Sequence, residues 1–145
     1  MTNIRKLPIG IQDFEKLRTG NFLYVDKTRY LYDLAESGVP YFLGRPRRFG
    51  KSLFLSTLKA YFLGKKELFE GLTIAGLEKD WIEYPVFYLD FNVESYKNLE
   101  SLHSALDTNL KRIEELCGKD ETDTTPASRL SGLILRAFKK TGRKV

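Results

Sequence analysis

The stretch that most constrains the fold is Tyr41–Leu58, YFLGRPRRFGKSLFLSTL, in which an apolar run meets an arginine-rich loop and then a helical period. Ahead of the loop, the run between Gly38 and Gly44 has the length and composition of a buried parallel strand. Behind it, Phe54, Leu55, Leu58, Tyr61 and Phe62 recur at helical spacing as far as Gly64. Strand, loop and helix in that order direct free backbone N–H groups and the positive end of a helix toward the loop.

The loop closes on Gly50, Lys51 and Ser52, the end of a phosphate-loop pattern of glycine, four free residues, glycine, lysine and Ser or Thr. Counting back over Phe49, Arg48, Arg47 and Pro46, the first glycine position is held by Arg45, and Gly44 falls one residue too early. A bare Gly-Lys-Ser/Thr arises by chance in roughly one in fifteen chains of this length, so the tripeptide gains meaning only from the strand and helix beside it. In that setting Gly50 permits close approach of a phosphate, Lys51 reaches the β- and γ-phosphates, and the Ser52 hydroxyl suits Mg²⁺. The candidate nucleotide contacts are Arg45, Pro46, Arg47, Arg48, Phe49, Gly50, Lys51, Ser52 and Leu53. The competing reading of the same arginines is a module that grips nucleic-acid phosphates or a partner protein.

Charge supports an anion at one place. Residues 1–70 carry 13 of the 24 Lys and Arg against 7 of the 19 Asp and Glu, whereas 71–145 are nearly balanced, and Arg45, Arg47, Arg48 and Lys51 lie together. No apolar run approaches the ~18 residues that cross a bilayer. The N-terminus lacks the apolar core and cleavage site of an export signal, and the single cysteine, Cys117, forbids an internal disulfide; both point to the cytoplasm.

Along the rest of the chain, a short helix from Asp13 to Gly20 precedes an extended piece, Phe22 to Val25, and a helix capped by Asp26 and stopped by Gly38. Val86 to Phe91 reads as a second strand. Leu102, Leu106, Leu110, Ile113 and Leu116 define an amphipathic helix, and a last helix starts at Thr125 and Pro126 and stops at Gly142. Alternating strands and helices predict an α/β fold, a phosphate-loop parallel sheet flanked by helices. Two short strands make a poor sheet, so the chain reads as the front part of a longer protein, cut where a further strand would begin. One domain is expected, with an N-terminal helical segment over 1–38 and a loop-bearing core over 39–145.

The segments FLYVDKTRYLYDL, FLGRPRRFGKSLFLSTLKAYF and YPVFYLDFN together resemble the prokaryotic AAA-ATPase-like family, from about Leu7 to the end. That family's own loop runs Arg-Pro-Arg-Arg-Phe-Gly-Lys-Ser, so the resemblance accounts for Arg45. It implies ATP and Mg²⁺ as cofactors, an acidic Walker B strand beyond Val145, and often a C-terminal nuclease-like domain through which nucleic acid would be met; oligomeric state stays open. It also implies a place beside the nucleotide for Asp26, which as a helix cap needs no ligand. Asp90, near the end of the second expected strand, is a candidate for Mg²⁺ through water, or a turn former. His103 and Cys117 have no partners at catalytic or metal-binding spacing.

Overall fold

The computed structural model describes residues 5–92 and 98–145; residues 1–4, part of the helical segment expected over 1–38, and 93–97 lie outside the described residues. Six α-helices appear among them: α1 (Phe14–Thr19), α2 (Thr28–Ser37), α3 (Lys51–Phe62), α4 (Thr73–Leu77), α5 (Leu99–Cys117) and α6 (Pro126–Thr141). A 3₁₀ turn, Lys66–Phe69, joins α3 to α4. The chain divides into two compact units, Met1–Glu83 and Tyr84–Val145.

In the first unit, Asp13 caps α1 by accepting from Lys16 N at 2.8 Å, and α2 stops at Gly38 in the left-handed region. The core gathers Phe14, Leu31, Ala60, Leu68, Phe69, Leu72 and Ile74. Its centre is aromatic: Phe69 lies 4.8 Å from Phe14 and 5.1 Å from Trp81, ring to ring. Phe14 and Phe69 are wholly buried, and each such side chain contributes roughly 1.5–3 kcal/mol. Gly64, at φ +66°, turns the chain out of α3 so closely that an added Cβ would lie 3.1 Å from the Trp81 carbonyl oxygen.

The second unit is a helical hairpin. Asn98 and Thr125 each form a reciprocal capping box with the serine three residues on, Pro126 opens α6, and Gly142 closes it at φ 68°. Leu110, Ile113 and Leu133 pack between the helices, with Phe87 and Leu89 against them. Arg129 of α6 donates to Glu114 and to Asp107 of α5, both at 2.6 Å. The Arg129 guanidinium is the main cause that holds the Glu114 carboxyl below the usual range.

The expected parallel α/β sheet is not what the structure shows. Among the described residues there is no strand, only an isolated parallel bridge between Lys6 and Phe22. Val39–Leu43 is irregular and not buried: Val39 and Tyr41 are each 56% exposed and Phe42 is 97% exposed. Val86–Phe91 is irregular, and Phe87 and Leu89, both half-buried, pack on the helices instead of on a neighbouring strand. The physical reason is that an apolar run specifies a wish for burial, while a strand needs a second run alongside to take its N–H and C=O groups. At Asp90 a side chain does that work. Asn109, only 3% exposed, accepts from Asp90 N at 2.9 Å and donates to Asp90 O at 2.8 Å, as an adjacent strand would.

Candidate functional site

The loop from Gly44 to Gly50 is exposed and cationic. Arg48 and Gly50 both occupy the left-handed region, at φ 67° and 74°, so the backbone reverses sharply just before α3. For Gly50 this costs nothing, because an added Cβ alone would make the region unfavourable; for Arg48 it costs on the order of 1 kcal/mol. Gly50 is then the N-cap of α3. It offers no side-chain acceptor, so the first-turn N–H groups of Lys51, Ser52 and Leu53 meet none from their cap. Asp13, Asn98 and Thr125 do provide one to α1, α5 and α6.

Lys51 folds back over the loop. Its ammonium donates to the carbonyl oxygen of Arg45 and, at 3.4 Å, to that of Pro46, which ties the start of the loop to the start of α3. Ser52 is exposed, and its hydroxyl makes no hydrogen bond to another described residue. Arg45, Arg47 and Arg48 are exposed and form no ion pair with a described residue. The loop therefore brings together Arg45 to Leu53 as one cationic turn ending on a bare helix start.

Beside it lies a cleft of about 190 Å³. One wall is the face of α3 given by Gly50, Leu53, Phe54 and Thr57; the other is Leu23, Tyr24 and Val25, with Lys27 and Arg45 adding positive charge. The spacing of Gly50, Leu53, Phe54 and Thr57 is a helical face legible in the sequence, but the opposing wall is supplied by tertiary packing alone. Burial raises the Tyr24 phenol above its ordinary range, partly offset by its hydrogen bond with Thr57.

Asp26 sits inside that opposing segment, one residue ahead of the cap position of α2. One carboxylate oxygen accepts from Thr28 N and Oγ1 at 2.9 and 2.7 Å; the other accepts from Thr73 N and Oγ1, both at 2.7 Å. Burial pushes its carboxyl up, but these four bonds outweigh burial and hold it at about 2. Asp26 thus clamps the start of α2 to the start of α4, and its acceptor sites are filled by protein. Thr28 Oγ1, itself buried, accepts from Ile74 N at 3.1 Å and extends the clamp.

Asp90 belongs to the second unit. Its carboxylate accepts from Asn92 N at 2.9 Å, an Asx turn, while its backbone is held by Asn109. His103 is exposed on α5, and Cys117 packs partly buried between α5 and α6. Among the described residues no group of three or more His, Cys, Asp or Glu is placed to hold a metal ion, and no helix is long and apolar enough to cross a membrane.

Comparison with known proteins bears on this geometry. The family model described as "Predicted AAA-ATPase", AAA-ATPase-like, matches residues 8–145. A protein of Azotobacter chroococcum mcd 1, described as "Uncharacterized protein in vnfD 5'region", is 40% identical over 143 residues. The alignment takes in 97% of this chain but 28% of that relative, so the chain spans little more than a quarter of the relative's length. No solved structure matches the chain.

Proposed function

The chain belongs to the AAA-ATPase-like family, and from that premise we propose that it binds ATP with Mg²⁺ through the variant loop Arg45–Ser52. The observation that carries the proposal is the bare start of α3: a glycine cap without a side-chain acceptor, adjoining three exposed arginines and Lys51. Such a terminus suits a polyphosphate, because N–H groups, the helix dipole and fixed cations act on the same charge. Alternating left-handed residues at 48 and 50 fit the turned backbone of an anion-binding nest.

In this reading Lys51 exchanges its loop carbonyls for the β- and γ-phosphates, Leu53 and its neighbours offer N–H groups, and Arg47 and Arg48 add charge. The Ser52 hydroxyl and Asp90 were the two sequence candidates for metal; Ser52, on the loop's own helix, is the one we assign. Mg²⁺ held there would supply positive charge to the polyphosphate. Asp26 supports the cleft wall and does not touch the nucleotide, since its carboxylate is already saturated by Thr28 and Thr73. The proposal for these residues is binding; ATP hydrolysis by a complete protein is its extension at the level of the family.

Thermal unfolding with and without Mg-ATP tests it. Nucleotide should raise the transition in proportion to occupancy, and Lys51→Ala should weaken binding about 10- to 100-fold, the worth of a charge-assisted hydrogen bond. Equal responses in wild type and variant would refute the assignment. Arg45, Arg47 and Arg48, exposed and in no ion pair with a described residue, favour one second reading, contact with nucleic-acid phosphates. That binding would need no magnesium and would fall steeply with salt; a failure to retain DNA or RNA at low salt removes it.

A further inference from the structure

We infer that the cleft beside the loop seats the base of the bound nucleotide and selects it by ring size, with little discrimination between adenine and guanine. This rests on the loop holding the phosphates, as proposed above. The cleft begins at Gly50, where the phosphates would lie, and follows α3 past Leu53 and Phe54. A ligand anchored at the helix start therefore has an apolar slot running away from its charge, the shape of a polyphosphate with a planar tail.

What the slot offers that tail is mostly hydrocarbon and aromatic surface. Of its two hydroxyls, Thr57 Oγ1 donates to the Leu53 carbonyl at 2.8 Å, and the Tyr24 phenol is half-buried. The Leu23 N–H is taken by the Lys6 carbonyl at 2.8 Å. Asn, Gln, Asp and Glu, the side chains that read a base edge through paired donors and acceptors, are not among its lining residues. Lys27 and Arg45 do line it, but a polyphosphate attracts them more strongly than a neutral base acceptor can, because hydrogen bonds to ionised groups are roughly twice as strong. Adenine and guanine differ in their hydrogen-bonding edges and share the fused ring system, so this slot distinguishes purine from pyrimidine far better than one purine from the other.

Isothermal calorimetry of the chain with ATP, GTP, UTP and tripolyphosphate, each with Mg²⁺, tests the inference. ATP and GTP should bind within about threefold of one another, since apolar side chains dominate the lining, amide and carboxylate side chains are not part of it, and such a surface discriminates weakly. Both should exceed UTP about fivefold and tripolyphosphate about tenfold, in step with the apolar area each base buries. Val25 is 69% exposed, so Val25→Trp fills the slot without disturbing the core and should bring ATP down toward tripolyphosphate. A preference for ATP over GTP of more than about a hundredfold would require a polar reader and would overturn the inference. Tripolyphosphate binding as tightly as ATP, in a Lys51-dependent manner, would overturn it while leaving the loop assignment intact. If no triphosphate binds the wild type, the loop assignment falls and the base slot with it.

Discussion

Asp26→Asn isolates the clamp that holds the cleft wall in place. The Asp26 carboxyl lies at about 2 against an ordinary 3.8, because four donors from Thr28 and Thr73 favour the charged form over the opposing effect of burial. Taken in full, that depression corresponds to about 2.5 kcal/mol of folding stability. The residue is exposed, so solvent screening reduces the figure to about 1–1.5 kcal/mol. Asparagine keeps one acceptor for Thr28 but turns an amide toward Thr73 N, which then lacks a partner; the loss at neutral pH should match that range.

The pH dependence gives the sharper test. A folded pKa below the unfolded one means that the contribution is complete above about 4 and is lost as pH falls from about 4 through about 2. The stability difference between wild type and Asp26→Asn should therefore be constant from pH 7 to about 5 and shrink toward pH 2. Urea unfolding followed by fluorescence reads this directly, because Trp81 is the chain's one tryptophan and packs on Phe69 in the same unit. A difference that stays the same at pH 2.5 as at pH 7 would show that the charge on Asp26 contributes nothing, and the clamp would be a matter of shape alone.

Two further changes probe the second unit. Asn109→Leu removes three side-chain bonds, to Asp90 N, Asp90 O and Ala105 O, and should cost about 2–3 kcal/mol by leaving the Asp90 backbone unpaired; hydrogen exchange at the Asp90 amide should rise well before global unfolding. Gly132→Ala would place a Cβ 2.2 Å from Asp123 Oδ2, displacing the carboxylate that pairs with Arg136 at 2.9 Å. It should cost about 1–3 kcal/mol in urea unfolding, and combined with Asp123→Ala the two losses should fall short of their sum, because both act on one contact.

The sequence by itself determined several of the helix ends. Asp13, Thr125 with Pro126, Gly38 and Gly142 mark helix ends by local hydrogen bonding and backbone freedom, and each does so in the structure. Gly50, Lys51 and Ser52 likewise announce a helix start, because that property lies within one turn of chain, and α3 begins at Lys51 with Gly50 as its cap. What only the tertiary structure decided is which distant groups meet. Whether Val39–Leu43 and Val86–Phe91 become strands depends on partners that an apolar run cannot name, and here Asn109 takes that place at Asp90. Asp26 looked like a simple cap; its second oxygen reaches Thr73, 47 residues on, and no local pattern encodes that distance. The opposing wall of the cleft arises in the same way, since packing energy acts between surfaces that the chain brings together only once it is folded.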